Sequence, residues 1–144
     1  MIDWWTAVRF LHVTGAALWV GGQLLLTLVV LPLARRALPA EQRATVLTAV
    51  GRRFGRLTLL AFLPLQVATG VALAVQAGVT PAELAEPGYE RTLAAKLILV
   101  TVAMLASAGH GILARRRPVL ARAAATFALV CSLGIVFLAT ALAS

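Results

Sequence analysis

The chain has 144 residues, of which 61% are apolar and 12% are charged, and its formal net charge is +8. Soluble domains are about half apolar and about a quarter charged, so this composition excludes an ordinary soluble domain. The single cysteine excludes an intrachain disulfide and any multi-cysteine metal site. At about 20 residues for each membrane crossing, the length accommodates about four spans.

Four uncharged runs are long enough to cross a membrane as helices, because backbone polar groups in lipid must be satisfied within their own segment. We predict spans at about residues 8–33, 57–79, 92–114 and 121–142. The predicted fold class is all-α, an integral membrane four-helix bundle that forms a single domain over residues 1–144.

Prolines predict where these helices end or bend. Pro32 and Pro39 predict the exit from the first helix, and Pro118 predicts a break between the third and fourth. Pro64 lies inside the second span and predicts a kink, which neighbouring helices can tolerate in a membrane. The remaining prolines lie in the second connector: Pro81 and Pro87.

The positive charge predicts orientation in the membrane. Arginines dominate the first and third connectors: Arg35, Arg36, Arg43, Arg52, Arg53 and Arg56, then Arg115, Arg116, Arg117 and Arg122. Connectors rich in Lys and Arg face the cytoplasm, so we expect both termini outside. We predict a multi-pass protein of the inner (cytoplasmic) membrane, in contact with lipid and not with nucleic acid.

Beyond the arginines at their rims, the predicted spans contain three basic residues, which are costly in lipid and are therefore functional candidates. His12 lies about one to two turns inside the first span, Lys96 lies at a similar depth in the third, and His110 lies near the inner end of the third. About 21 Å of helix separates Lys96 from His110, which predicts opposite leaflets. The neutral amides are expected only to form interhelical hydrogen bonds: Gln23, Gln66 and Gln76.

Small residues follow His12 along one face of the first helix. Gly15, Trp19 and Gly22 recur with it at steps of three and four residues. Such a stripe admits either a neighbouring helix or a flat cofactor, and Trp19 then belongs either to the packing or to a cofactor wall. The small-residue faces would also suit contacts in a homo-oligomer.

Each ionisable candidate has a structural alternative. His12 is either an axial ligand or a histidine hydrogen-bonded to a neighbouring helix. Lys96 either takes part in a site or extends its ammonium group to the lipid headgroups along its own aliphatic stem. His110 is either a ligand or a solvated histidine at the cytoplasmic rim, because a run of arginines follows it.

A b-type haem is the cofactor that these residues suit best. It requires one or two axial ligands, an apolar slot between helices and cations near its propionates. His12 would bind the iron, and Lys96 would be a sixth ligand or a contact for a propionate or substrate. Arg9 and Arg91 lie at the rim where the propionates would emerge.

Copper is the alternative metal, since Cu(I) prefers thiolate, thioether and imidazole ligands. The sulfur-bearing residues are Met1, Met104 and Cys131. The sequence contains no His-rich cluster, no Cys-x-x-Cys and no Met-x-x-Met motif. A copper site would therefore have to be assembled from isolated residues.

Several motifs resemble those of the copper-resistance protein D (CopD) domain. The first-helix motifs are Arg9-Phe10-Leu11-His12, Trp19-Val20-Gly21-Gly22 and Leu31-Pro32-Leu33-Ala34-Arg35. Those of the second and third helices are Arg53-Phe54-Gly55-Arg56-Leu57, Thr69-Gly70 and Gly88-Tyr89-Glu90-Arg91, which leads to Lys96-Leu97. The run from Lys96 to Leu113 equally resembles the third helix of the HemJ-type protoporphyrinogen oxidases.

The resemblance implies a four-helix membrane bundle and two functions. The HemJ branch implies a b-type haem, with His12 and Lys96 as the functional pair and His110 as a further metal-ligand candidate. It also implies a haem-dependent oxidoreductase with a quinone, porphyrin or other small-molecule redox partner. The CopD branch implies copper transport or copper tolerance. The residues before Lys96 lack the tryptophans of the HemJ branch, so the resemblance implies haem binding more directly than protoporphyrinogen oxidation.

Overall fold

The computed structural model describes residues 3–80, 82, 84, 88–113 and 116–141. Throughout these ranges the ordered elements are helical and no strand occurs. Four helices are long and apolar enough to cross a membrane: Trp4–Ala37, Ala40–Gln76, Glu90–His110 and Val119–Thr140. The predictions of an all-α fold and of four helices long and apolar enough to span a membrane are confirmed for the described residues. Pro81, Pro87, Arg115 and Met1 lie outside the described residues.

The chain forms two compact units, Met1–Gly78 and Val79–Ser144. The first contains α1 (Trp4–Leu25), α2 (Leu31–Ala37), α3 (Ala40–Leu57) and α4 (Leu63–Gln76). The second contains α5 (Tyr89–Leu113) and α6 (Pro118–Ala141). The arrangement of all four long helices as one bundle in a single domain, with both termini outside, stays a prediction.

The first helix begins at a reciprocal cap. Asp3 Oδ1 accepts hydrogen bonds from the Thr6 backbone N–H and hydroxyl, each at 2.8 Å, and the Asp3 N–H donates to Thr6 Oγ1. These bonds satisfy backbone donors that a helix start leaves without intrahelical partners. The hydrogen bonds from the Thr6 side chain and backbone lower the pKa of the Asp3 carboxyl, because they favour its charged form.

Two π-helical turns, Leu26–Val30 and Thr58–Phe62, interrupt the first unit's long helices. Each leads directly into a Leu-Pro pair, and the closing N–H of Leu31 or Leu63 reaches back five residues. Proline lacks an N–H and its ring clashes with the carbonyl four residues before it, which accounts for the widened turn. The distortion predicted at Pro64 takes this form. Of the two prolines predicted to mark the exit from the first helix, Pro39 lies at the break and Pro32 does not, because the helix continues to Ala37.

The arginine-rich first connector, expected as a link between spans, is largely helical. Only Leu38 and Pro39 separate α2 from α3, and Leu38 has an extended backbone. Arginine, alanine, leucine and glutamate are good helix formers, and they make up much of Ala40–Leu57. The second long helix therefore begins well before its apolar stretch.

In the second unit, α5 and α6 form an antiparallel pair. Gly88 has a φ of +118° in the turn before α5, a backbone conformation that favours glycine. Pro118 is the first residue of α6, which confirms the predicted break before the fourth helix. Small side chains line the contact between the two helices: Ala103, Ala121, Ala128 and Ser132 are all buried.

Candidate functional site

The predicted stripe on α1 faces the second long helix. Val8, His12, Gly15 and Trp19 alternate at steps of four and three residues, which keeps them on one side of the helix. Val8, Gly15 and Trp19 are buried, and His12 is half-buried. This side of α1 is therefore a packed interhelical contact.

His12 is oriented by a threonine of α4. Its Nδ1 lies 2.8 Å from Thr69 Oγ1, and the Thr69 hydroxyl lies 2.6 Å from the Leu65 carbonyl oxygen. A hydroxyl has one hydrogen, and a carbonyl can only accept. The hydroxyl therefore donates to Leu65, and His12 Nδ1–H donates to Thr69. A neutral His12 ring then carries its lone pair on Nε2.

Gln66 connects the same two helices one turn earlier on α4. Its amide nitrogen donates to the His12 carbonyl oxygen at 2.7 Å. A Cβ at Gly15 would lie 2.6 Å from that nitrogen and 3.1 Å from Leu65 Cδ2, so the absence of a side chain at Gly15 makes room for the amide. The prediction that Gln66 forms an interhelical hydrogen bond is confirmed.

Two more glycines admit side chains across this contact. A Cβ at Gly22 would lie 2.5 Å from Phe54 Cε2, and a Cβ at Gly70 would lie 3.3 Å from His12 Cε1. Of the two occupants expected for the stripe, a neighbouring helix is thus observed along this face. For His12, the hydrogen bond to a neighbouring helix is observed, and its role as a ligand stays a prediction.

Trp19 and Arg9 flank His12 on α1. The Trp19 side chain is only 8% exposed, so it serves the packing of this unit. Arg9 is exposed one turn before His12. A cofactor wall at Trp19 and a propionate contact at Arg9 stay predictions.

Lys96 and Arg91 lie on α5, in the second unit. Lys96 is half-buried and Arg91 is exposed. At about 1.5 Å per residue, Lys96 lies about 10 Å from the start of α5, and His12 lies about 12 Å from the start of α1. The two residues therefore lie at similar distances from the starts of their own helices. Because His12 and Lys96 belong to different units, their pairing stays a prediction.

His110 connects α5 to α6. Its ring is exposed, and Nδ1 lies 2.8 Å from the Ala121 carbonyl oxygen, to which it must donate. His110 was expected at the cytoplasmic rim, and the structure shows in addition this hydrogen bond to α6. Its role as a ligand stays a prediction. Across the described ranges, no group of three or more His, Cys, Asp or Glu residues could hold a metal ion.

Thr69 is the contributor to this contact that the sequence reasoning missed. It is 7% exposed and accepts the Nδ1 hydrogen bond that orients His12. Its signal was its spacing, because Thr69 follows Gln66 by three residues and shares its face of the helix. A threonine hydroxyl can be satisfied by a carbonyl of its own helix, as Thr69 is by Leu65, so a threonine in an apolar span does not by itself predict a contact with another helix.

Comparison with known proteins gives no relative from which a role could be transferred. No protein-family model, curated protein or solved structure matches the chain. The resemblance to the CopD and HemJ families therefore stays a prediction carried by the quoted motifs.

Proposed function

We propose that this chain is an integral membrane b-type haem protein that transfers electrons, with His12 as an axial ligand. The observation that supports it is the hydrogen bond from His12 Nδ1–H to Thr69 Oγ1. Histidine ligands commonly donate the N–H of the second ring nitrogen to an oxygen, which fixes the tautomer and the ring orientation. His12 has this arrangement, and the acceptor, Thr69, is buried.

The chemistry of the available donors fits a haem. Neutral imidazole is a common axial ligand, and the tautomer of His12 places the ligating lone pair on Nε2. Arg9, one turn from His12 on α1, would neutralise a propionate, and the roles of Lys96 and Arg91, which lie in the second unit, stay predictions. When bound, haem would supply one-electron redox chemistry.

The packing of α1 limits which face of the helix a haem could use. Gln66 and Phe54 occupy the space beside Gly15 and Gly22, so the glycine stripe itself is filled by the chain. A haem bound to His12 would therefore not lie along the stripe. In this role, Thr69 and Gln66 are positioning residues that hold the imidazole and the backbone of α1.

The orientation of the chain follows from its arginines. The arginines of α2 and α3 all lie in the segment between the uncharged stretch of the first long helix and the uncharged stretch that follows Arg56. On the positive-inside rule, this segment faces the cytoplasm, and the His12 end of α1 lies in the outer half of the inner membrane. The redox partner would be a quinone, a porphyrin or another small apolar molecule that reaches the site from lipid.

A visible spectrum tests the proposal. The chain is expressed with sufficient haem, purified in detergent and recorded before and after reduction with dithionite. We expect a Soret band and a reducible α-band in the wild type and in His110→Ala, and loss of both bands in His12→Ala. Colourless wild-type protein would overturn the proposal, as would bands that survive in His12→Ala and disappear in His110→Ala.

Elemental analysis of the same preparation separates haem from copper. The proposal predicts iron in proportion to the Soret absorbance and no bound copper. Stoichiometric copper without a Soret band would instead favour the copper transport or tolerance that the CopD resemblance implies.

A further inference from the structure

Three neighbouring arginines of α3 line an open depression on the surface of the first unit. Arg52, Arg53 and Arg56 line it together with Ala49, and its volume is about 390 Å³. Arg52 and Arg56 are one turn apart and share a face of the helix, and Arg53 lies beside them. We call this depression the arginine groove.

The arginine groove concentrates positive charge without a nearby carboxylate on its helix. All three arginines are exposed, and the one acidic residue of α3 is Glu41, about 16 Å from Arg52 along the helix axis. Like charges at adjacent helical positions repel one another. An anion shared among the guanidinium groups would relieve this repulsion, and their planar donors match the oxygens of a phosphate.

The position of the arginine groove along the helix indicates where that phosphate would come from. Residues 57–76 carry no charged side chain, and at about 1.5 Å per residue they span about 30 Å, the thickness of the hydrocarbon core. Arg56 immediately precedes this stretch, and Arg52 lies about 6 Å farther from it. The groove therefore lies at the depth of the lipid phosphates.

Exposed leucines follow the arginines on the membrane side. Leu59 and Leu60 are 62% and 75% exposed. They come three and four residues after Arg56, so they continue its face of the helix toward the hydrocarbon. A lipid with its phosphate among the arginines would lay its acyl chains along these leucines, whereas a soluble phosphate would leave them uncovered.

We propose that the arginine groove binds the phosphate of an anionic phospholipid, with Leu59 and Leu60 in contact with its acyl chains. The site uses no residue of the haem proposal and stands independently of it. Guanidinium groups hold the phosphate oxygens, and the apolar face selects a ligand that carries chains.

Native mass spectrometry of the detergent-purified chain, titrated with phosphatidylglycerol, tests the site. Arg52→Gln, Arg53→Gln and Arg56→Gln together should weaken binding of the first lipid about tenfold. The matched control removes equal charge elsewhere in the same unit, by Arg35→Gln, Arg36→Gln and Arg43→Gln, and should bind nearly as the wild type does. Equal weakening in the two variants would overturn the site in favour of general attraction to positive charge.

Two further measurements identify the ligand and allow for misfolding. Inorganic phosphate in excess should not displace the lipid, and Leu59→Ser with Leu60→Ser should weaken lipid binding. Displacement by phosphate, or full lipid binding in the serine variant, would overturn a lipid ligand. If the triple glutamine variant does not fold, Arg56→Lys keeps the charge but lacks the planar donors, and should weaken binding about threefold. Unchanged binding in Arg56→Lys would then overturn the site.

Discussion

Within Met1–Gly78 the long helices are joined by side chains that cross between them, whereas within Val79–Ser144 the helices meet mainly through small apolar side chains. In the first unit, Gln66 donates to the His12 carbonyl and His12 donates to Thr69. In the second, Ala103, Ala121 and Ala128 are buried. Lipid is as apolar as leucine, so helices in a membrane associate through close packing and interhelical hydrogen bonds. Among the hydrogen bonds of the described residues, those of His12 and Gln66 cross between helices, and that of Ser107 stays within its own helix.

The two units differ in how a polar residue of an apolar helix is hydrogen-bonded. His12 has its ring and its backbone carbonyl bonded by two residues of α4, one turn apart. The Ser107 hydroxyl of the second unit instead donates to the Ala103 carbonyl of its own helix. The bonds at His12 depend on the partner helix, and the bond at Ser107 does not. Removing a hydrogen-bonding side chain should therefore lower the unfolding free energy more in the first unit than in the second.

The largest expected effect is the loss of stability in Gly22→Ala, measured against the same change at the adjacent Gly21. In Gly22→Ala, the new Cβ would lie 2.5 Å from Cε2 of the stiff Phe54 ring, so the unfolding free energy should fall by about 1–3 kcal/mol. Gly21→Ala is the matched control, because nothing lies within 4 Å of a Cβ there. Alanine is the better helix former by about 0.5–1 kcal/mol, so this variant should be neutral or more stable. Unfolding in mixed micelles with increasing dodecyl sulfate measures both. Equal losses would contradict the packing described around Gly22.

The next effect concerns the hydrogen bond at His12. Thr69→Val keeps the shape of the side chain but leaves the imidazole N–H without its acceptor, and should cost about 0.6–1.7 kcal/mol. Ser107→Ala removes a hydroxyl that bonds within its own helix and should change stability little. The same micelle titration compares the two variants. In haem-loaded protein, Thr69→Val should also shift the midpoint potential, because the hydrogen bond tunes the ligand. A Thr69→Val protein as stable as the wild type would contradict the crossing contact.

How much of this could be predicted from the sequence varies with the physical cause. Length and hydropathy predict the four apolar helices, because a span is decided by its own composition. The role of Gln66 was predictable because a neutral amide in lipid has few uses other than interhelical bonding. The continuation of the first helix past Pro32 was not, since it depends on whether the preceding turn widens. Helix α3 was missed because its arginines suit either an exposed helix or a loop.

The candidate site, too, could be predicted only in part from the sequence. The sequence predicts that His12 lies on a small-residue face, but which neighbour fills that face depends on how two helices align. The alignment puts Gln66 beside Gly15 and Phe54 beside Gly22. Thr69 becomes significant only through this alignment, since its own hydrogen bond to Leu65 satisfies the hydroxyl in isolation. The tautomer of His12 was likewise outside the reach of spacing arguments.

A smaller effect is expected in the second unit at His110. His110→Ala removes the bond from Nδ1 to the carbonyl of Ala121, a buried residue three positions after the start of α6. That carbonyl can still accept from the backbone of its own helix, and the His110 side chain is exposed, so the cost should be about 0.5 kcal/mol or less. Hydrogen exchange of the amides near Ala121 should rise locally while the amides around His12 keep their protection. A loss as large as that of Thr69→Val would mean that the second unit depends on its crossing bond as much as the first does.

The smallest effect lies at the cap of α1, outside the membrane-spanning stretch. The Thr6 hydroxyl and backbone N–H lower the pKa of the Asp3 carboxyl from its ordinary value of 3.8. A group with a lowered folded pKa contributes its stability above the unfolded pKa, and this contribution is lost as the pH falls through the folded value. The cap should therefore persist at neutral pH and fray below pH 3.8. A carbon-13 titration of the Asp3 carboxyl in micelles measures its pKa, which Thr6→Val should move back toward the ordinary value. Because the cap bonds lie entirely within the first turn, the hydrogen bonds at His12 should be unaffected by this titration, and a coupled change there would show that the start of α1 and its contact with α4 unfold together.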